Sequence, residues 1–193
     1  MKALVLLLAL LTGCGGCASV PDYNDAKASV VRLEFPGGGV CSGTAVSKTT
    51  VLSAAHCFHV DSGDMSVNGK DVTFKVIAND GEDHVLVTVD KPFAVWARMA
   101  IRKPAQGDVV FVHGNPAALK DILLTGRVSG RWDDLLLLDL NAWYGVSGAA
   151  VFNEDGQIIG VVSRMVPGDQ AYWRLTGCYD IKFTAKQWAE AGV

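Results

Sequence analysis

The sequence of 193 residues predicts an all-β fold. From residue 28 onwards, short segments rich in β-forming residues alternate with turn signals about every ten residues, a spacing typical of barrels and sandwiches. Hydrophobic residues make up 50% of the chain and charged residues 19%, so a packed core is expected and disorder is not. One short helix is predicted at the end, where Thr184 is suited to be its N-cap and Gly192 to end it.

The strands fall into two groups separated by a connector at 91–100. The first group comprises six predicted segments, at 28–35, 40–47, 50–52, a hairpin at 67–70, 72–78 and 83–90. The second group also comprises six, at 108–113, 122–131, 135–140, 148–152, 157–165 and 178–183. Asn68 and Gly69 predict a two-residue hairpin turn, because such a turn needs a positive φ at both positions. The terminal helix is predicted over 184–191.

The first residues form a predicted export signal. Lys2 precedes an uninterrupted apolar run over 3–11, which is too short to span a bilayer and typical of a secretory signal peptide. Residues 11–14 (LTGC) resemble the lipobox of bacterial lipoproteins, which implies lipid attachment to Cys14 after cleavage. Ordinary cleavage after Ala18 is the alternative. The predicted divisions of the chain are a signal peptide, a tether and a folded domain, at 1–13, 14–27 and 28–193.

Gly15, the residue after the lipobox cysteine, bears on which membrane the protein is expected to reach. By resemblance to Gram-negative lipoproteins, the absence of aspartate at Gly15 implies the outer membrane, with the domain facing the periplasm. The lipid on Cys14 would anchor the protein to that membrane. The net charge of −3, with no cluster of Lys and Arg, gives no indication of a nucleic-acid partner. We expect a monomer.

Export is expected to place the cysteines in an oxidising compartment, where disulfides can form. Cys41 and Cys57 flank a strand–turn–strand segment and form a natural pair, with two buried thiols as the alternative. Once Cys14 is assigned to lipid, Cys17 and Cys178 are left over. The sequence leaves open whether these two are bridged or free.

A serine between two glycines is the most informative feature of the second half. Residues 145–148 (GVSG) allow a sharp turn that other groups can approach closely. The Ser147 hydroxyl group would be exposed there, and the N–H groups of Gly145 and Ser147 could form an oxyanion hole. An ordinary turn between two strands is the alternative. A serine nucleophile also needs a base, most often histidine, and the chain has four histidines: His56, His59, His84 and His113.

Three motifs resemble those of trypsin-like serine proteases. Residues 53–57 (SAAHC) resemble their histidine motif, 145–148 their nucleophile motif, and 83–87 (DHVLV) the strand that supplies their aspartate. The order histidine, aspartate, serine is that of the chymotrypsin clan. Shorter matches to trypsin-like and HtrA-like bacterial proteases lie at 42–44, 107–110, 114–116, 125–129, 160–163 and 177–179. No PDZ domain is expected.

The resemblance implies a specific architecture. It implies two six-stranded antiparallel β-barrels, over about 28–90 and 101–193, with the active site between them and a short C-terminal helix. It also implies a disulfide between Cys41 and Cys57 that braces the histidine motif. No cofactor and no metal are expected. A cluster of histidine and cysteine ligands is the alternative, but the spacing of Cys57 and His59 fits no usual zinc pattern.

The resemblance also assigns the catalytic roles. Ser147 is the implied nucleophile, and His56 the general base and then the general acid. Asp83 is implied to orient His56 and to stabilise its charged form, with Asp80 as the alternative carboxylate. The N–H groups of Gly145 and Ser147 are implied to bind the oxyanion.

Four further residues are implied to bind substrate: Asn141, Ser163, Met165 and Gly177. Asn141 stands where trypsin has the aspartate that selects Arg or Lys, so that preference is not expected. Met165 stands where a glycine usually leaves the specificity pocket open. We therefore expect a small or medium apolar residue on the amino side of the scissile bond.

Two residues of the turn depart from the trypsin pattern. Val146 replaces an aspartate that pairs with the new N-terminus in activated zymogens, so no activation by cleavage is expected. Ala149 replaces a second glycine after the serine, which brings the geometry of the turn into question. Two functions are therefore weighed. The first is a serine endopeptidase of protein or peptide substrates, tethered at the bacterial cell envelope. The second is a catalytically silent trypsin-like fold that acts as a lipid-anchored binding protein.

Overall fold

The computed structural model describes residues 23–167 and 174–193. The first unit contains six antiparallel strands: β1 (Val30–Glu34), β2 (Val40–Ala45), β3 (Thr50–Ala54), β4 (Ser62–Val67), β5 (Lys70–Asn79) and β6 (His84–Val89). These strands close into a barrel in the order β1-β2-β3-β6-β5-β4. A 3₁₀ turn over Ala55–Cys57 follows β3 directly, at one end of the barrel.

The second unit is a sheet of seven antiparallel strands among the described residues. They are β7 (Val109–Gly114), β8 (Ile122–Trp132), β9 (Leu135–Asp139), β10 (Ala150–Phe152), β11 (Ile158–Val161), β12 (Arg164–Pro167) and β13 (Arg174–Tyr179). They pair in the order β11-β10-β7-β8-β9-β13-β12. The predicted all-β, chymotrypsin-like fold is confirmed. The second unit differs from the predicted six-stranded barrel in having seven strands, with β11 and β12 at its edges.

The extra strand arises because the chain changes partners at Val162. The Val162 N–H group donates to the Ala149 carbonyl (2.9 Å), and the Val162 carbonyl accepts from Gly148 (2.8 Å). The next N–H group, that of Ser163, donates instead to the Gly177 carbonyl of β13 (3.1 Å). One predicted strand is therefore two, and the exchange joins the serine-containing turn to the far edge of the sheet.

The predicted hairpin turn is confirmed. Asn68 and Gly69 have φ angles of 51° and 77°, and Val67 pairs with Lys70 on either side of them. Both central residues are therefore left-handed, as the turn between β4 and β5 requires.

A helix begins before the barrel. Residues 23–27, predicted to belong to a tether, lie instead in helix α1 (Tyr23–Ser29). The helix is held by tertiary contacts, because Ala26 is buried and the Tyr23 ring meets Phe111 edge-on with 4.6 Å between centroids. Cys14, Cys17 and the predicted signal peptide lie outside the described residues.

The predicted C-terminal helix is present as α2 (Ala185–Glu190). The Thr184 hydroxyl group accepts a hydrogen bond from the Gln187 N–H group, and the Gln187 side chain accepts one from the Thr184 N–H group. This capping box satisfies two donors that the first turn would otherwise leave unpaired. Among the described residues, no helix has both the length and the apolar character needed to span a bilayer.

The buried apolar side chains form three clusters. One fills the barrel and includes Leu33, Val51 and Val87. A second lies within the sheet and includes Val110, Leu138 and Val151. The third, which we call the interface cluster, joins barrel, sheet and both helices, and includes Leu52, Leu86, Phe111, Phe152 and Ile158. These five side chains are fully buried, and burial of each contributes about 1.5–3 kcal/mol, so apolar contact fixes the barrel against the sheet.

The cysteine pairing in the barrel is the predicted one. Cys41 and Cys57 form a disulfide across 16 positions of sequence, with their Cα atoms 6.4 Å apart. Cys178 is free and fully buried in the sheet, and burial raises the pKa of its thiol. A buried thiol with a raised pKa is a poor nucleophile, so Cys178 has a packing role.

Replacing both Cys41 and Cys57 by serine is expected to lower the free energy of unfolding by about 3 kcal/mol, because the unfolded chain is no longer constrained by the loop. Urea denaturation followed by tryptophan fluorescence measures this change. A reducing agent should lower the urea midpoint of the wild type towards that of the double variant and leave the variant unaffected. Equal midpoints for oxidised wild type and variant would contradict the prediction.

Candidate active site

His56 is held by Asp83 through two separate hydrogen bonds. His56 lies in the 3₁₀ turn after β3, and its N–H group donates to Asp83 Oδ1 (3.0 Å). The Nδ1 atom of the His56 ring lies 2.8 Å from Asp83 Oδ2. The Ala55 N–H group also donates to the Asp83 carbonyl (3.0 Å). One carboxylate thus fixes both the backbone and the ring of the histidine.

This contact determines what the His56 ring can do. Because a carboxylate only accepts hydrogen bonds, we assign the ring proton of neutral His56 to Nδ1. The Nε2 atom then carries a lone pair, and the side chain remains 46% exposed. The ring is therefore available as a proton acceptor at its outer edge.

The Asp83 carboxyl group is set up to stay ionised. Burial raises its pKa, but the hydrogen bonds from the His56 ring and backbone, the His56 charge and the Ser163 hydroxyl group together lower it below the ordinary value. Asp83 therefore remains a carboxylate that orients His56 and balances a positive charge on its ring.

The serine-containing turn is compressed at both ends. Gly145 has φ 96° and Gly148 φ 84°, a region that strains any other residue. A Cβ atom on Gly145 would lie 2.3 Å from the Asn115 carbonyl oxygen, and one on Gly148 would lie 2.2 Å from the Ser42 carbonyl oxygen. Glycine is therefore required at both positions, because any side chain there would overlap neighbouring backbone.

Contacts with the barrel bring Ser147 to the histidine motif. The Ser147 carbonyl accepts a hydrogen bond from the Ser42 N–H group of β2 (2.8 Å). It also lies 4.0 Å from the Sγ atom of Cys57, the residue after His56. Ser147 itself is half-buried. The predicted nucleophile, base and carboxylate thus lie in segments that meet at the boundary of barrel and sheet.

The two departures from the trypsin pattern fit into the core. Val146 is fully buried, and its methyl groups pack within 3.2–3.4 Å of where a Cβ on Gly114 would stand. Ala149 is also fully buried, and its φ is not among the positive values. Because alanine adopts that conformation without strain, the Ala149 methyl group does not disturb the turn.

The predicted substrate-binding residues are only partly brought together. The Ser163 hydroxyl group donates to the Val161 carbonyl (3.3 Å) and is one cause of the lowered pKa of Asp83. Met165 and Gly177 lie on β12 and β13, with Met165 paired to Thr176 and Gly177 to Arg164. Asn141 is exposed and lines a different depression, together with Tyr23 and Val109. The structure therefore does not place Asn141 with the other predicted substrate-binding residues, and only its position in the sequence relates it to a specificity pocket.

A cavity of about 560 Å³ adjoins His56. Its walls include the disulfide and three aromatic side chains, those of Phe35, Phe58 and Phe74. The Phe58 ring meets Phe35 and Phe74 edge-on, with centroids 5.2 Å and 5.5 Å apart. These packed rings present an apolar surface beside the histidine.

A second aspartate–histidine pair lies behind the first. Asp80, the alternative carboxylate, contacts His84 and not His56: its Oδ2 atom lies 2.6 Å from His84 Nδ1, and both side chains are fully buried. Burial raises the Asp80 pKa, but hydrogen bonds from His84 and from the Lys182 and Glu82 backbones hold it below the ordinary value. Asp80 therefore braces the loop that carries Asp83.

Two groups near the turn have no role assigned from sequence. The Ser42 hydroxyl group and the Asn115 side chain form a buried hydrogen-bonded chain that ends on Gly145. The exposed Trp143 ring stacks under the Arg174 guanidinium group, 4.8 Å from its centroid. Both contacts join segments distant in sequence, so no local motif indicates them. The described residues contain no group of three or more His, Cys, Asp or Glu side chains able to hold a metal ion.

A family model described as a trypsin-like peptidase domain matches residues 41–161, well over half of the chain. The chain belongs to the trypsin-like peptidase family. The match includes the histidine motif, the Asp83 strand and the Ser147 turn. No curated protein gives a significant sequence match.

Solved structures show the same fold. A serine endoprotease from Yersinia pestis is similar with a TM-score of 0.70 and 23% identity, over 81% of this chain and 60% of that one. The Mycobacterium tuberculosis H37Rv protein Rv3671c, as an inactive serine-to-alanine mutant, is similar with a TM-score of 0.70 and 18% identity, over 89% and 94% of the two chains. An inactive form of the Rv3671c protease gives 0.71 and 19%, over 87% and 91%. The chain thus spans 60% of the Yersinia pestis structure, and the likeness is one of fold.

The depressed pKa of Asp83 predicts a pH-dependent stability. The ordinary value is 3.8, so the stabilisation is present above that pH and is lost as the pH falls through the lower value of the folded state. Asp83→Asn should therefore lower the free energy of unfolding at about pH 7, and the difference from wild type should shrink below about pH 4. Urea denaturation across this range measures it. Asp155→Asn, at an exposed turn position, should track the wild type; a pH-independent deficit in Asp83→Asn would contradict the assignment.

Proposed function

We propose that this protein is a serine endopeptidase that uses Ser147, His56 and Asp83 as a catalytic triad. The observation that carries the proposal is the double hydrogen bond from His56 to the Asp83 carboxylate. It fixes the tautomer and orientation that a general base for a serine requires. The glycine-bounded turn that presents Ser147 beside Cys57 supports the same role.

The mechanism follows from the atoms involved. Ser147 Oγ attacks the carbonyl carbon of a peptide bond while His56 Nε2 takes the hydroxyl proton. The Asp83 carboxylate stabilises the imidazolium ion through Nδ1. The N–H groups of Gly145 and Ser147 donate to the carbonyl oxygen as it becomes an oxyanion. His56 then protonates the leaving amine. In the second half of the reaction His56 takes a proton from the water molecule that attacks the acyl-enzyme, and returns it to Ser147 Oγ as the acid product leaves.

The site is suited to an extended peptide. Strand β12 lies at the edge of the sheet, paired on one side with β13, so its other side can pair with a substrate backbone. Met165 on this strand favours a small or medium apolar residue before the scissile bond. Asn141 carries no charge and lines a different depression, so no preference for Arg or Lys is proposed. The aromatic cavity beside His56 favours apolar substrate groups as well.

Attachment to the cell envelope is a separate part of the proposal. Residues 1–13 read as an export signal and Cys14 as the lipidated residue of a lipobox. Two or more acyl chains hold a protein stably to a bilayer. We propose an outer-membrane lipoprotein whose domain faces the periplasm.

Ser147→Ala is expected to abolish labelling by a fluorophosphonate probe and to lower kcat/KM by about 10⁴-fold or more, because the nucleophile is lost. Asp83→Asn should lower kcat/KM by about 10⁴-fold while the serine remains present. Gel fluorescence measures labelling, and hydrolysis of a peptide library measures activity. Ser129→Ala, in a partly buried position of β8, should behave as wild type. Folded wild type that is neither labelled nor active would indicate the lipid-anchored binding protein instead.

Cys14→Ser is expected to move the protein from the membrane fraction to the soluble fraction, because no lipid can be attached. Metabolic labelling with a palmitate analogue and fractionation measure this. Cys17→Ser, three positions away, is the matched control and should retain lipid and membrane association. Lipid incorporation into Cys14→Ser, or cleavage of the wild type after Ala18, would contradict the lipobox assignment.

A further inference from the structure

A chain of buried hydrogen bonds links the barrel to the predicted oxyanion-binding turn. The Ser42 hydroxyl group donates to the Gly145 carbonyl (2.8 Å), and the Asn115 Nδ2 atom donates to Ser42 Oγ (2.9 Å). Ser42 is fully buried and Asn115 is 5% exposed. The Ser42 hydroxyl group donates its one proton to the Gly145 carbonyl, so its oxygen can only accept from Asn115. The Asn115 side chain must therefore be oriented with its NH₂ group towards Ser42. The hydrogen bonds therefore all run in one direction, from Asn115 to Ser42 and from Ser42 to the Gly145 carbonyl.

The neighbouring peptide is held from the opposite side. The Ala117 N–H group donates to the Tyr144 carbonyl (2.7 Å). In a trans peptide the N–H group points away from the carbonyl, so holding the Tyr144 carbonyl sets the direction of the Gly145 N–H group. With the Gly145 carbonyl held by Ser42, both peptide planes that meet at Gly145 are fixed. A flip of the Tyr144–Gly145 peptide would break the Ala117 bond, and movement of Gly145 would break the Ser42 bond.

Asn115 also shapes the loop that supplies Ala117. Its Oδ1 atom accepts a hydrogen bond from the Asp121 N–H group (3.4 Å), across the loop. Within this loop Ala117, Ala118 and Asp121 have φ angles of 50°, 61° and 58°. Non-glycine residues adopt such angles only where surrounding contacts hold them. One asparagine side chain therefore closes a strained loop and positions the serine that contacts the turn.

We propose that Ser42 and Asn115 are positioning residues that hold the oxyanion-binding peptide of the turn in its productive orientation; this rests on the proposed peptidase function. Val146 is apolar and buried, so the turn has no aspartate side chain of its own to anchor it by charge. The hydroxyl group of Ser42, fixed by Asn115, supplies the anchor from the barrel. Neither residue touches the reacting atoms; both act through Gly145.

The test compares Ser42→Ala and Asn115→Ala with Ser47→Ala in the full-length protein. Ser47 is a matched control, because it is also a buried serine, in the turn between β2 and β3, and its hydroxyl group donates to a distant carbonyl, that of Ala191 (3.0 Å). Loss of either positioning residue should lower kcat by roughly 10²-fold, as misplaced catalytic groups do, with KM little changed. Affinity for a peptide boronic acid, which mimics the oxyanion, should fall in parallel, while the pH profile of kcat/KM stays as in wild type.

Two further results make the outcome decisive. The double variant should lose no more kcat than the worse single variant, because the two residues act in series. Amide hydrogen exchange at Val146, whose N–H group donates to the Trp143 carbonyl (3.0 Å), should accelerate in Ser42→Ala and not in Ser47→Ala. Unchanged exchange and unchanged boronic acid affinity in Ser42→Ala would overturn the proposal, whatever its stability.

The exchange measurement also separates this proposal from the peptidase assignment. A wild type that is not labelled by the fluorophosphonate probe would contradict the peptidase. Faster Val146 exchange in Ser42→Ala alone would still support the anchoring of the turn by Ser42. Unchanged exchange in that variant would overturn the anchoring as well.

Discussion

The barrel and the sheet unit come into close contact at the serine-containing turn, where Gly148 packs against β2. The Ser42 carbonyl oxygen of the barrel would lie 2.2 Å from a Cβ atom on Gly148, and the Asn115 carbonyl oxygen, in the loop after β7, would lie 2.3 Å from one on Gly145. Ser147 lies between these two contacts. Its place is therefore set by neighbours on both sides of the turn rather than by any contact of its own side chain, and the rest of the site depends on this spacing.

The parts of the site form by different routes. His56 and Asp83 belong to one barrel, where the register of β3 with β6 pairs Ala54 with His84 and thereby places the two residues side by side. Ser147 lies in the turn before β10 of the second unit, so its position relative to His56 and Asp83 depends on how the two units dock. The interface cluster, which includes Leu52 and Phe152, supplies apolar contact for that docking. The relative position of these residues thus depends on buried apolar side chains as well as on polar groups.

Much of this arrangement is predictable from short motifs, because glycine, proline and alternating apolar residues act locally. The resemblance of residues 83–87 favours Asp83 over Asp80, but the physical reason is not local. Both aspartates precede the same strand, and the register of β6 with β3 places Asp83 beside His56. The division of one predicted strand at Val162 depends on hydrogen-bond partners far away in sequence. Helix α1 is too short to be stable alone and exists through contacts such as Tyr23 with Phe111.

The loop that carries Asp80 and Asp83 is held by the C-terminal segment of the chain. Asp80 accepts a hydrogen bond from the Lys182 N–H group (2.9 Å), and Gln187 Nε2 donates to the Asn79 carbonyl (3.2 Å). The segment leading into α2 thus supports the loop that carries Asp80 and Asp83, although none of its residues is among the predicted catalytic residues. A recombinant form of the protein therefore needs this segment intact, and a purification tag belongs beyond Gly192, on a linker long enough to leave the helix docked.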